Sequence, residues 1–210
     1  MSDIINEIRK KAKTEEIDYL FLMDCLSNYK RPRDKLSNLL KTKKIIRVKK
    51  GIYVFAKEYR KRPYSLEILA NLLYGPSYVS FEYALSFYGL IPETTIRITS
   101  ATLGRNKFFS TSVGEFIYHH HPLKKYIPGV VLKSIDENTN FLIATKEKAI
   151  ADCIAKLSAF SNKEDLLQYL IESMRIDSKD IFSLDKLLFL EIAKNFKNIN
   201  VDLLCKILMK

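Results

Sequence analysis

The chain has 210 residues, of which 47% are hydrophobic, and this content is enough to build a buried core and excludes a wholly disordered protein. Only six Gly and six Pro residues are present, which excludes collagen and low-complexity scaffolds. The formal net charge of +11 favours a polyanionic partner, either nucleic acid or an anionic membrane surface.

The excess positive charge lies in one segment of the chain. Residues 30–62 contain fourteen Lys and Arg residues but only two acidic residues, Asp34 and Glu58. The rest of the chain holds 21 basic and 22 acidic residues, so it is nearly neutral. This concentration favours duplex DNA as the partner, with RNA, an anionic membrane or a merely solvated basic face as the alternatives.

The compartment follows from what the sequence lacks. No run of about 18 apolar residues occurs, so no transmembrane helix is predicted. The charged N-terminus predicts no signal peptide, and we expect a soluble cytoplasmic protein. The three cysteines are far apart and form no C-x-x-C pair, which favours reduced thiols over a disulfide framework or a zinc site.

Three helices are predicted in the first 42 residues. Asp3–Lys13 form the first and the apolar segment Ile17–Cys25 the second. The third begins at Pro32, whose missing N–H is harmless in a first helical turn, and ends at Thr42. It presents one apolar stripe to the core, formed by Leu36, Leu39 and Leu40. Its opposite face carries Asp34, Asn38 and Lys41, with Arg31 at the entrance and Lys35 on the flank, and such a basic, amide-bearing face suits the major groove.

A basic hairpin follows the third helix. Ile46 and Val48 alternate with Arg47 and Lys49, and Lys50-Gly51 makes a tight turn before the return strand. Short helix, turn, second helix and basic hairpin, in that order, is the plan of a winged helix-turn-helix, here residues 1–62. The predicted DNA contacts are Arg31, Arg33, Lys35, Asn38, Lys41, Arg47, Lys49 and Lys50.

The near-neutral remainder predicts an α+β domain over residues 63–160 and a helical C-terminal extension over residues 161–210. Helices are expected at 66–74 and 81–88, the second capped by Ser80, and at 146–160 after a Thr145 cap. The expected strands are 95–102, 115–121, 130–134 and 141–144, with a loop at 103–107 and a turn at 136–140. The fold class is therefore α+β.

Three strings in this second part carry a family resemblance. They are LANLLYGPSYVSFEYALSFYGLIPE, then ITSAT-x-GR-x-KFF-x-T-x-x-GEF-x-YHH, then IATKEKAIADCI. Together with GIYVF at the end of the hairpin, they resemble the antitoxin subunit of AbiEi-type abortive-infection toxin–antitoxin systems. The resemblance covers about residues 17–160, and the tail matches only in its helical character.

The resemblance implies a function for each part of the chain. It implies a transcriptional regulator that represses its own bicistronic operon by binding inverted repeats through its N-terminal domain, with possible self-association on DNA. The C-terminal domain of the antitoxin type would counter a co-encoded nucleotidyltransferase-like toxin, and direct contact with the toxin stays open.

Two further groups of residues are candidate binding sites. His119 and His121 share one face of a predicted strand, but no third ligand is evident, so surface or structural histidines are favoured over a metal. The loop from Gly104 lacks the P-loop pattern, and its Arg105 and Lys107 are candidate contacts for the partner or for nucleic acid. No metal and no cofactor are expected.

The sequence contains no recognisable catalytic set, so the protein is not expected to be an enzyme. Cys153 lies on a predicted apolar helix, which favours a buried inert thiol over a nucleophile. One alternative is an RNA-binding or nucleic-acid-processing protein that uses the basic segment for general affinity. Another is an interaction protein whose winged helix contacts a second protein.

Overall fold

The structure is a computed structural model that describes residues 4–137 and 139–209. The predicted start of the first helix at Asp3, Asn138 in a predicted turn, and Lys210 lie outside the described residues. The fold mixes helices with two β-sheets, as the α+β prediction requires. Within the described ranges, no helix combines the length and the apolar character needed to span a bilayer.

The N-terminal part contains three helices and a three-stranded antiparallel sheet of order β1-β3-β2. Its elements are α1 (Ile4–Lys11), β1 (Glu16–Asp18), α2 (Tyr19–Cys25), α3 (Pro32–Lys41), β2 (Ile45–Lys49) and β3 (Ile52–Phe55). The predicted start of the second helix at Ile17 was wrong, because Ile17 lies in β1 and pairs with Tyr53 of β3. The helix begins after Asp18, whose carboxylate accepts the N–H of Phe21 at 2.8 Å as an N-cap.

The third helix forms as predicted. Pro32 stands in its first turn, and Leu36 and Leu39 are buried. They join a small core beneath the sheet with Ile5, Ile8, Leu22, Ile45 and Tyr53. Burial of these side chains, each contributing about 1.5–3 kcal/mol of transfer free energy, holds α3 against α1 and α2.

The hairpin β2–β3 is covered on both faces. Ile45, Tyr53 and Phe55 belong to the small core, whereas Ile46, Val48, Ile52 and Val54 pack against the larger core of the second part. A register shift between Arg47 and Lys49 interrupts the simple alternation. The hairpin is therefore a shared element between the two cores.

The second part is built on a six-stranded mixed sheet of order β6-β7-β5-β4-β9-β8. The strands are β4 (Ser77–Val79), β5 (Arg97–Thr102), β6 (Lys107–Ser110), β7 (Glu115–His120), β8 (Val130–Asp136) and β9 (Thr139–Ala144). The short strands β4 and β6 were not predicted, and Lys107, expected in a loop, begins β6. The helices among these strands are α4 (Leu66–Leu73), α5 (Phe81–Phe87), α6 (Leu123–Tyr126) and α7 (Lys146–Ile154).

The tail is helical, as predicted, and docks on α7. It contains α8 (Lys163–Gln168), a π-helical segment (Tyr169–Ser173), α9 (Ser178–Phe182), α10 (Lys186–Phe196) and α11 (Ile199–Leu208). The predicted extension of α7 to Phe160 was wrong. Buried Asn200 donates to the carbonyls of Ile154 and Ser158 at 2.9 and 3.1 Å, and its own carbonyl accepts the Phe160 N–H at 2.9 Å. These bonds satisfy the backbone where α7 ends.

Polar contacts also tie the N-terminal part to the sheet. Buried Glu16 accepts the backbone N–H of Ser65. Arg62 donates to Asp136 at 3.1 Å and forms an ion pair with Glu16 at 3.5 Å. Together with the shared hairpin, these contacts hold the basic segment in one orientation on the second part.

Candidate nucleic-acid interface

The outer face of α3 is exposed and polar. Arg31, Arg33, Asn38 and Lys41 are exposed, while the leucines of the opposite face are buried. Lys35 is half-buried, and its ammonium lies 5.4 Å from the centroid of the Tyr29 ring. Four of the five predicted α3 contacts are thus exposed, and the fifth, Lys35, is half-buried.

One carboxylate stands on this surface. Arg31 and Asp34 approach to 3.8 Å, but their side chains are 84% and 68% exposed, so the pair adds little stability. The Arg31 guanidinium therefore remains free to turn toward a ligand. Asp34 can accept a hydrogen bond from a cytosine amino group in a major groove.

The hairpin separates its predicted contacts into two kinds. Arg47 and Lys50 are exposed, and Gly51 closes the turn with φ +93° and nothing within 4 Å of its missing Cβ. Lys49 instead turns to the second part, where its Nζ donates to the Leu73 carbonyl at 2.8 Å and lies 4.4 Å from the Phe109 ring centroid. The ammonium of Lys49 is thus engaged by the Leu73 carbonyl and the Phe109 ring, whereas Arg47 and Lys50 are exposed.

Three further basic side chains, Lys43, Lys57 and Arg60, lie next to the hairpin residue Arg47, and the sequence interpretation did not include these three among the contacts. Lys43, Arg47, Lys57 and Arg60 line an open groove of about 580 Å³ between the end of α3 and the segment after β3. A second cleft of about 330 Å³ shares Lys57 and Arg60 with it. The dense charge of residues 30–62 was the only sequence signal for this groove.

Arg105 and Lys107 are exposed beside the hairpin. Arg105 lies in the loop before β6, and Lys107 begins this edge strand, which also contains Phe109. The loop passes close to Tyr74, because a Cβ on Gly104 would lie 2.5 Å from the Tyr74 hydroxyl. Phe109, two residues after Lys107, contacts Lys49, so it is this edge strand that meets the hairpin.

The histidine run divides as its position on a strand predicts. His119 and His121 both pack on Phe81, with ring centroids 4.8 and 5.7 Å away, whereas exposed His120 contacts the Gly104 carbonyl. Burial lowers the pKa of His119, as does nearby Lys156. Among the residues that the structure describes, no three His, Cys, Asp or Glu side chains are grouped to hold a metal ion.

Sequence reasoning missed a buried polar cluster centred on Asp152. Its Oδ1 lies 2.9 Å from both Lys148 Nζ and His121 Nε2. Its Oδ2 accepts hydrogen bonds from Ser80 Oγ at 2.6 Å and Tyr78 OH at 3.0 Å. Ser80 was predicted to cap α5, but its hydroxyl donates to Asp152 and makes no capping hydrogen bond to the helix.

The charges of this cluster compensate each other. Burial opposes ionisation of Asp152, but the Lys148 ammonium and the His121 ring hold the pKa of this carboxyl below its usual value. The Nδ1 of His121 faces the His120 carbonyl at 2.9 Å while its Nε2 faces Asp152. Both ring nitrogens of His121 thus face oxygen atoms of neighbouring residues.

The cluster is buried in the core of the second part. Asp152 and Lys148 are wholly buried, and the residues described around them belong to four elements of the core. Neighbouring Cys153 is also buried, and burial raises the pKa of its thiol well above the usual value, which keeps it protonated. The cluster joins β4, α5, the end of β7 and α7.

No protein-family model matches the chain, and no curated protein matches it in sequence. The assignment of its function therefore depends on the residues and on their geometry.

Proposed function

We propose that this protein is a DNA-binding transcriptional regulator whose N-terminal part, with helices α1–α3 and the sheet β1-β3-β2, is a winged helix-turn-helix. The observation that carries the proposal is the outer face of α3, where Arg31, Arg33, Asn38 and Lys41 are exposed while Leu36 and Leu39 hold the helix to the core. The order of helices and hairpin and the concentration of charge in residues 30–62 support it.

The proposed mechanism divides the contacts by role. Arg31, Asn38, Lys35 and Lys41 read base edges, Asn through its paired donor and acceptor and the cations through guanine O6 and N7. Arg33, Arg47 and Lys50 neutralise phosphates and release counterions, which makes affinity depend steeply on salt. Two copies bind inverted half-sites, because a two-fold operator presents the same groove twice.

We further propose that the protein is the antitoxin and autorepressor of a bicistronic toxin–antitoxin operon. The support is the resemblance to AbiEi-type antitoxins in residues 17–160. In this proposal the N-terminal part represses the operon, and the second part counters a co-encoded nucleotidyltransferase-like toxin. Arg105 and Lys107, exposed beside the hairpin, are the proposed contacts of the second part with the toxin or with nucleic acid.

The DNA-binding proposal is tested by fluorescence anisotropy on the duplex upstream of the protein's own gene. A scrambled duplex of equal composition is the control, and both are titrated at about 50 mM and about 200 mM salt. We expect a preference for the upstream duplex that survives the higher salt. Equal binding that the higher salt abolishes, or stronger binding to RNA of the same sequence, would favour the alternative of a general nucleic-acid-binding protein.

The antitoxin proposal is tested by gene context and co-expression. We expect an adjacent reading frame with a nucleotidyltransferase pattern whose expression alone arrests growth. Co-expression of this chain from an independent promoter should restore growth, and a truncated chain ending at residue 62 should not. Failure of the full chain to restore growth would refute the antitoxin role and leave the DNA-binding proposal intact.

A further inference from the structure

The groove beside the hairpin has a charge that its neighbours do not balance. Lys43, Arg47, Lys57 and Arg60 surround it, and Glu58 is its one acidic lining residue. Among the described residues, no ion pair includes any of these four cations. The adjoining cleft adds Lys61 and Arg62, of which Arg62 is paired with Glu16 and Asp136.

The cations are held on rigid supports. Lys43 follows α3 directly in a left-handed backbone conformation, φ 55°. On the opposite side, Ala56 pairs with Lys44 through a backbone hydrogen bond of 3.1 Å, which fixes the turn that carries Lys57. The Arg60 guanidinium stacks 4.9 Å from the centroid of the Tyr64 ring. The backbone that carries these cations is therefore fixed, while the side chains of Lys43 and Lys57 extend into solvent.

The Nε of Arg60 is buried from solvent and has no hydrogen-bond partner among the described residues. The open shape of the groove and the positive charge of its lining suit a phosphate, whose oxygens accept charge-assisted hydrogen bonds from Lys and Arg.

The basic groove lies at the C-terminal end of α3, the helix that is proposed to read the bases. The ten residues of α3 span about 15 Å, comparable with the major-groove width of about 12 Å. When α3 lies in the major groove of DNA, its two ends approach the two phosphate backbones that border the major groove. Arg31 and Arg33 mark one end, and Lys43 with the basic groove continues from the other.

We propose that the groove between α3 and the segment after β3 binds the phosphate backbone of the same duplex that α3 reads, through Lys43, Arg47, Lys57 and Arg60. The inference rests on the proposed function, because it assigns the groove to that duplex. It extends the footprint beyond the hairpin tip, and the added contacts carry no sequence preference of their own.

The test is the salt dependence of binding for the double variant Lys43→Gln, Lys57→Gln, since both side chains are exposed and their loss leaves the cores untouched. Each lost phosphate contact lowers the slope of log K against log salt by about 0.9, so we expect a reduction of about 1.8. The ratio of affinities for upstream and scrambled duplexes should stay unchanged. The matched control is Lys179→Gln, Lys186→Gln, two exposed cations at distant helices, which should keep the wild-type slope.

A second measurement locates the contact on the DNA. Neutral methylphosphonate linkages, introduced one at a time, should weaken wild-type binding at the linkages that the groove touches. At those linkages the double variant should lose no further affinity, because the partner cations are already absent. Arg60→Gln provides an independent variant with the same expected pattern.

The outcomes separate this inference from the proposed function. A wild-type protein that prefers the upstream duplex, combined with a double variant of unchanged slope, overturns the groove assignment alone. Equal wild-type binding to both duplexes with a reduced slope in the variant overturns sequence reading and retains the groove as a phosphate site. A slope reduction on single-stranded RNA but not on duplex overturns the assignment to DNA, and no binding to any duplex overturns both proposals.

Discussion

The carboxylate of Asp152 and the ammonium of Lys148 lie 2.9 Å apart on successive turns of α7, and both side chains are wholly buried. A buried pair of this kind adds little net stability relative to an apolar pair, but it is costly to break. The remaining bonds of Asp152 reach β4, α5 and the end of β7. This pair therefore sets the packing of the second part.

Replacement of Asp152 by Asn should destabilise the protein by about 3–5 kcal/mol, because the buried ammonium of Lys148 loses the carboxylate that compensates its charge. Urea unfolding monitored by circular dichroism measures the change. The matched control, Glu191→Gln, lies exposed on α10 and should change stability by less than about 0.5 kcal/mol. A similar small loss for both variants would contradict the proposed importance of the cluster.

The same pair predicts an acid-dependent stability. The pKa of Asp152 is lowered in the folded protein from its ordinary value of 3.8, so its contribution is complete above that value and disappears as the pH falls through the lowered one. The stability difference between wild type and Asp152→Asn should therefore shrink from about pH 5 toward about pH 2. Urea midpoints across this range measure it, and a difference independent of pH would contradict an ionised Asp152.

Replacement of Asn38 by Ala should weaken binding to the upstream duplex by about 1–3 kcal/mol and leave binding to the scrambled duplex unchanged. The exposed amide on the outer face of α3 is the physical reason, since only a base edge at the right position engages it. Anisotropy titrations on both duplexes measure the change. Equal losses on the two duplexes would show that α3 is not the reading helix.

Lys49 and Lys50 should respond differently to alanine substitution. Lys50 is exposed at the turn, so Lys50→Ala should weaken all duplexes alike and reduce the salt slope by about 0.9. Lys49 is engaged by the Leu73 carbonyl and the Phe109 ring, so Lys49→Ala should reduce stability by about 0.5–2 kcal/mol with little change in slope. Equal slope changes in the two variants would show that Lys49 leaves the sheet when DNA binds.

Local patterns were sufficient where a residue's role depends on its near neighbours. The i, i+3, i+4 leucines of α3 and the alternation around Lys50-Gly51 predicted a helix and a hairpin that the structure contains. Helical and strand periodicities repeat within a few residues, so the sequence alone reveals them. The basic segment was equally visible, because charge is a property of composition.

Long-range contacts decided the rest. Strand β1 exists only because Ile17 pairs with Tyr53, and α7 ends where Asn200, 46 residues later, binds the Ile154 carbonyl. Lys49 likewise packs against Phe109, which is far away in the chain. Asp152 lies between Lys148 and His121 in the core. The sequence by itself determined α3, the hairpin β2–β3 and the position of the positive charge. Only the tertiary structure decided which cations stay free for a ligand, because burial and pairing depend on what the fold brings beside them.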